Sequence, residues 1–152
     1  MEINGSERIA ASKQAVWAAL NDPAVLQQCI PGCDSLEKTS DNEMTATVTL
    51  KVGPVKASFK GKVTLSDIDA PNGYRITGEG TGGVAGFAKG GANVRLEEES
   101  ADVTVLHYEV DAQVGGKIAQ LGSRLIDSTA KKLSGEFFAK FGAVLGAPAE
   151  QS

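Results

Sequence analysis

The segment Lys117-Ile-Ala-Gln-Leu-Gly-Ser-Arg-Leu-Ile-Asp-Ser-Thr-Ala-Lys-Lys-Leu-Ser-Gly-Glu-Phe-Phe-Ala-Lys-Phe-Gly-Ala-Val-Leu145 contains no proline. In it Ile118, Leu121, Leu125, Leu133, Phe137, Phe141 and Val144 recur at steps of three, four or their sums. That is the 3.6-residue period of one helix face, so a single long amphipathic helix is predicted over 117–145. At 1.5 Å per residue it would run about 42 Å, enough to cross a small domain from edge to edge. Its apolar face needs a broad partner. Everything between about Cys33 and Val114 reads as strands, and a long helix over a strongly curved antiparallel sheet buries both apolar surfaces.

Working outward, Glu2 to Ala10, with Ile3 and Ile9 among polar residues, reads as a first strand. Ser12 caps a short helix, Lys13 to Leu20. Asn21-Asp-Pro23 then supplies a stop, a cap and an N1 proline for a second short helix ending near Ile30. Pro31-Gly32 breaks that helix. Met44, Ala46, Val48, Leu50 and Val52 alternate with Thr45, Thr47, Thr49 and Lys51, the period of a half-buried strand. Gly53-Pro54 turns the chain into a partner strand, apolar inside (Val55, Ala57, Phe59, Val63, Leu65) and basic outside (Lys56, Lys60, Lys62). Strands follow at Tyr74–Gly80, around Val94–Leu96 and at Thr104–Val114, and Gly115-Gly116 leads into the long helix. The fold class is α+β, with about seven antiparallel strands by meander around one long helix.

The 152 residues suit one domain. With 15 Lys and Arg against 19 Asp and Glu, a net charge of −4 and a pI near 5.0, the chain lacks the cationic surplus that binding a phosphate backbone requires. Nucleic acid is not an expected partner. There is no apolar run of membrane-spanning length and no leader pattern at the N-terminus, so a cytoplasmic location is expected. Cys29 and Cys33 are expected to be reduced thiols, neither bridged nor metal-bound.

Few residues offer reaction chemistry. Gly80-Thr-Gly82-Gly83-Val-Ala-Gly86 resembles a phosphate turn superficially, but no helix follows it, and it reads as a flexible hairpin that bends the sheet or leaves room for a ligand. His107, the single histidine, falls on the outer face of its strand. Glu97-Glu-Glu99 reads as a solvated hairpin end. No catalytic residue, metal ligand or cofactor is expected. The aromatic and aliphatic residues are more informative: Trp17, Val48, Leu50, Phe59, Phe87, Tyr108, Leu133, Phe137 and Phe141 are expected to line an apolar pocket under the helix. The inward strand positions Ala46, Ala57, Gly61, Gly78 and Ala112 supply too little volume to fill that space at native density.

Val16-Trp-Ala-Ala-Leu-Asn-Asp-Pro23, Cys29-Ile-Pro-Gly-Cys33, Leu50-Lys-Val-Gly-Pro54, Gly86-Phe-Ala-Lys-Gly90 and Val114-Gly-Gly-Lys-Ile-Ala-Gln-Leu-Gly-Ser-Arg-Leu125 together resemble the carbon monoxide dehydrogenase CoxG family. The resemblance runs over nearly the whole chain. It implies the START-like (SRPBCC) helix-grip fold in one domain, 1–146, followed by a short disordered tail, 147–152. It also implies a non-enzymatic accessory role beside a molybdenum hydroxylase of the carbon monoxide dehydrogenase type, in assembly or membrane recruitment, with a quinone or lipid in the cavity. Some members carry a Pro/Ala-rich linker and a hydrophobic tail; here the sequence stops at Ala147-Pro-Ala-Glu-Gln-Ser152, so recruitment through such a tail is not expected. The expected partners are that hydrophobic small molecule, the polypeptides of the hydroxylase and a peripheral contact at the inner face of the membrane, with a homodimer left open. The competing class is a small cyclase- or hydrolase-like enzyme, against which the lack of inward carboxylates or histidine counts.

Overall fold

A computed structural model describes the backbone of residues 2–151 and the side-chain surroundings of residues 2–145. The tail expected over 147–152 lies outside that second range. Strand β1 (Glu2–Ile9) is followed by helices α1 (Lys13–Leu20) and α2 (Pro23–Cys29). Then come β2 (Cys33–Lys38), β3 (Glu43–Val52), β4 (Val55–Asp69), β5 (Gly73–Thr81), β6 (Phe87–Ser100), β7 (Val103–Gly115) and helix α3 (Ser123–Gln151). All seven strands form one curved antiparallel sheet in the order β1-β7-β6-β5-β4-β3-β2. Every neighbour except β1–β7 is also a neighbour in sequence, which is the expected meander.

Local chemistry sets the two short helices. The Ser12 hydroxyl accepts from the Ala15 N–H at 3.2 Å and the Asp22 carboxylate accepts from the Ala24 N–H at 3.0 Å, with Pro23 in the first turn where no donor is needed. The Tyr74 hydroxyl donates to the Leu20 carbonyl at 2.7 Å, tying the end of α1 to β5, and burial pushes the Tyr74 phenol well up from its ordinary value.

Two expectations need correction. The segment 117–145 is not one helix: Gly116–Leu121 forms a 3₁₀ turn, Gly122 sits at φ +99°, and α3 starts at Ser123. A positive φ cannot continue an α-helix, and glycine adopts it without the steric cost other residues meet. Periodicity alone read through the break because Ile118 and Leu121 are apolar for another reason, given below. Strand β6 begins at Phe87 rather than near Val94, so Phe87 to Ala92 are strand, while Gly82–Gly86 form the expected hairpin turn. Glycine is a poor strand former, yet cross-strand pairing of Gly78 with Gly90 and of Gly80 with Ala88 holds it in the ladder.

Buried side chains divide into two clusters. The larger lies beneath α1, α2 and the C-terminal part of α3, and contains Leu20, Leu26, Leu65, Tyr74, Val94, Leu106, Phe138 and Phe141. The smaller joins Val52, Ala57, Phe59, Ala85 and Ile118, with Leu121, Leu125 and Ile126 packed against it. Helix α3 therefore touches one cluster at each end. Replacing Tyr74 with Phe removes the single side-chain bond from the sheet to α1's last carbonyl, and should lower the unfolding free energy by about 1 kcal/mol in urea denaturation, with an unchanged m-value.

Candidate functional site

Between the two clusters the sheet is carpeted with small residues. One cross-strand row reads Ala46, Gly61, Gly80, Ala88 and Val114 from β3 to β7; the next reads Val63, Gly78, Gly90 and Ala112. Helix α3 passes above, presenting Ile126, Thr129, Ala130 and Leu133, none of them fully buried. The result is an apolar cavity of about 370 Å³, partly open to solvent, walled by Val48, Leu50, Val52, Phe59 and Ile118.

The glycines in these rows are not equivalent. A Cβ at Gly61 would lie 1.9 Å from the Glu79 carbonyl oxygen, so a side chain there is barred by the backbone itself. A Cβ at Gly78 would meet nothing closer than the Lys62 carbonyl oxygen at 3.9 Å. Crowding explains the first glycine and not the second. What Gly78 provides is room.

Of the nine residues expected to line the pocket, Val48, Leu50, Phe59 and Leu133 do so. The other five lie elsewhere. Phe141 is fully buried in the large cluster, and Phe137 meets Phe138 edge to face at 4.8 Å. The Tyr108 ring stacks on Phe138 at 3.8 Å and passes over Gly5, where a Cβ would lie 2.4 Å from its hydroxyl. Trp17 packs against Tyr74 at 5.5 Å. Phe87 is 47% exposed, because β6 starts there and alternation from Ala88 inward sends its ring to the outer face, over Gly115. For Phe137, Phe141 and Tyr108 the cause is shared: the aromatic half of α3 lies over the large-residue half of the sheet, where it fills a core. Sequence reading missed Ile118, Ile126, Thr129 and Ala130; the inward Gly and Ala positions were the signal that located the empty half.

The arrangement offers binding more than reaction. Thr129 is the polar side chain that the roof contributes, while Lys62, Glu79, Lys89 and Gln113 border the cavity from strand positions that alternate outward. The His107 Nε2 lies 2.8 Å from a Glu97 carboxylate oxygen on the outer face. Both cysteines are free, Cys29 buried and Cys33 half-buried, and burial pushes both thiols up from their ordinary value. Among the described residues no three His, Cys, Asp or Glu side chains cluster to hold a metal, and no helix is long and apolar enough to cross a membrane.

Residues 5–146 match the family model described as CoxG, the G-type component of carbon monoxide dehydrogenase. Among solved structures, a conserved protein from Geobacillus kaustophilus is 32% identical, superposes with a TM-score of 0.86 and aligns over 95% of each chain. An aromatase/cyclase from Streptomyces sp. R1128 (13% identity, TM-score 0.67, 95% of this chain and 93% of that one) shares the fold. So does a START superfamily protein from Mycobacterium smegmatis (16%, 0.63, 99% and 97%). Among curated proteins none matches the chain.

The two halves under α3 should respond differently to truncation. Phe141→Ala opens a hole in a filled core and should cost about 3–5 kcal/mol of unfolding free energy, whereas Leu133→Ala removes carbons that already face open space and should cost about 1 kcal/mol or less. Equal costs in parallel denaturation curves would show that the space above the small-residue rows is closed in solution.

Proposed function

We propose, from the premise that the chain belongs to the carbon monoxide dehydrogenase CoxG family, that it is a non-enzymatic accessory protein that carries a hydrophobic molecule, a quinone or a lipid, in the cavity under α3. Its client is a molybdenum hydroxylase of the carbon monoxide dehydrogenase type, which it serves in assembly or membrane recruitment. The observation that carries this reading is the apolar space of about 370 Å³ held open between two packed clusters, a size within the usual range for small-molecule sites. Filling such a space with larger side chains would add stability, so leaving it empty has a cost that ligand binding explains.

The aromatase/cyclase among the fold relatives keeps an enzymatic reading in view, but 13% identity carries the fold alone. General acid–base catalysis needs an ionisable side chain within hydrogen-bond reach of a bound substrate. Thr129 is not such a group.

Organic extraction and mass spectrometry of the purified protein should release a prenyl quinone or lipid in stoichiometric amount. Gly78→Leu, which places a side chain into the open space, should fold with an unchanged or raised denaturation midpoint yet release none. A wild-type protein that carries nothing and takes up no added quinone would contradict the carrier reading.

A further inference from the structure

The charges on this acidic protein are sorted along the strand axis. Three links meet at the end of the sheet where α3 begins: the β3–β4 turn at Gly53-Pro54, the β5–β6 turn at Gly82–Gly86, and the Gly116–Gly122 connection into α3. They are packed together: a Cβ on Gly53 would lie 2.7 Å from Leu125, one on Gly86 2.1 Å from the Gly115 carbonyl oxygen, and Val52, Ala85 and Ile118 share one buried cluster. Residues 50–57, 80–88 and 113–125 contain Lys51, Lys56, Lys117 and Arg124 and no acidic residue. All four cations are exposed, and among the described ion pairs none involves them. The opposite end carries Asp41, Glu43, Asp67, Asp69, the Glu97–Glu99 run and Asp102, together with the cations Arg8, which is bound to Glu99, and Lys38. A net charge of −4 thus conceals a dipolar molecule.

The same end bears an apolar tip. Val84 is 90% exposed at the crest of the β5–β6 turn, and Pro54 in the β3–β4 turn is exposed as well. The positive end of the α3 helix dipole points there as well. An apolar side chain standing proud among lysines matches the two layers of a lipid interface, with cations at the headgroups and an apolar residue at the acyl boundary.

We propose that the loop end formed by residues 50–57, 80–88 and 113–125 docks on the surface of a bilayer containing anionic phospholipid, with Lys51, Lys56 and Lys117 at the headgroups and Val84 inserted below them. The inference deepens the carrier reading and takes its purpose from it: docking in this pose sets the N-terminal turns of α3, and the part of the cavity they roof, toward the membrane. An acidic protein surface would satisfy the lysines and leave Val84 unexplained.

Flotation with vesicles of phosphatidylcholine, alone and mixed with phosphatidylglycerol, tests it. The protein should float with the mixed vesicles and not the neutral ones, and added salt should release it. Each cation removed should lower partitioning about fivefold, so Lys51→Gln/Lys56→Gln/Lys117→Gln should lose about a hundredfold. Val84→Asp should also lose binding, and both variants, altered only at exposed positions, should melt like wild type. Quinone uptake in vesicle-free buffer should be unchanged in both. If uptake is normal but wild type ignores both vesicles, binds both equally, or needs its lysines only to bind the hydroxylase, the docking proposal is overturned and the carrier reading stands. If anionic vesicles bind but no quinone is taken up, docking stands and the carrier reading falls.

Discussion

The structure depends on a mismatch between the helix and the sheet beneath it. Helix α3 reaches from the small cluster, against which Leu125 and Ile126 pack, to the large one at Phe138 and Phe141, while the sheet midway offers mostly Gly and Ala across β3 to β7. A gap floored mostly by glycine and alanine has little side-chain volume beneath it to fill it. The glycines are themselves a burden, since each in a strand interior costs roughly 0.5–1 kcal/mol relative to alanine. Backbone crowding demands Gly61 and Gly90, so the burden falls on Gly78 and Gly80, where a Cβ would fit: about 1–2 kcal/mol together, against a total stability of about 5–15 kcal/mol for a domain. A fold retains such a row where function uses the space.

Holding a cavity open requires two firm abutments, and the sequence supplies them by different means. At one end aromatic rings, the hydroxyl of Tyr74 and the two capped helices make an ordinary dense core. At the other, three chain reversals built on glycine bring Val52, Ala85 and Ile118 together around Phe59. The break at Gly122 belongs to this second abutment. By ending the 3₁₀ turn it lets Ile118 point into the small cluster while α3 sets off across the sheet in its own direction.

The element order, the meander, the caps at Ser12 and Asp22 and the inward faces of β3 and β4 were legible because each rests on local chemistry or a clean period. The helix start was not, since Ile118 and Leu121 continue the apolar rhythm while belonging to another cluster. Half of the site was legible for a related reason: alternation says which side of a strand faces in, and so placed Val48, Leu50 and Phe59. It does not say which helix turn lies above which row. The aromatic residues of α3 therefore looked like pocket walls, whereas the register sets them against Tyr108 and the large-residue half of the sheet. Phe87 was misplaced because the beginning of β6 is hidden in a glycine-rich run whose strand character comes from pairing and not from propensity.

The central claim is that the space over the small-residue rows is a binding site and not a packing defect. Backbone amide chemical-shift mapping with a water-soluble short-chain quinone tests it most directly. The account requires saturable shifts at Gly61, Gly78, Gly80 and Gly90 and along Ile126 to Leu133, with Phe141 and its neighbours unmoved. Shifts confined to the outer face of the sheet, or absent altogether, would contradict it.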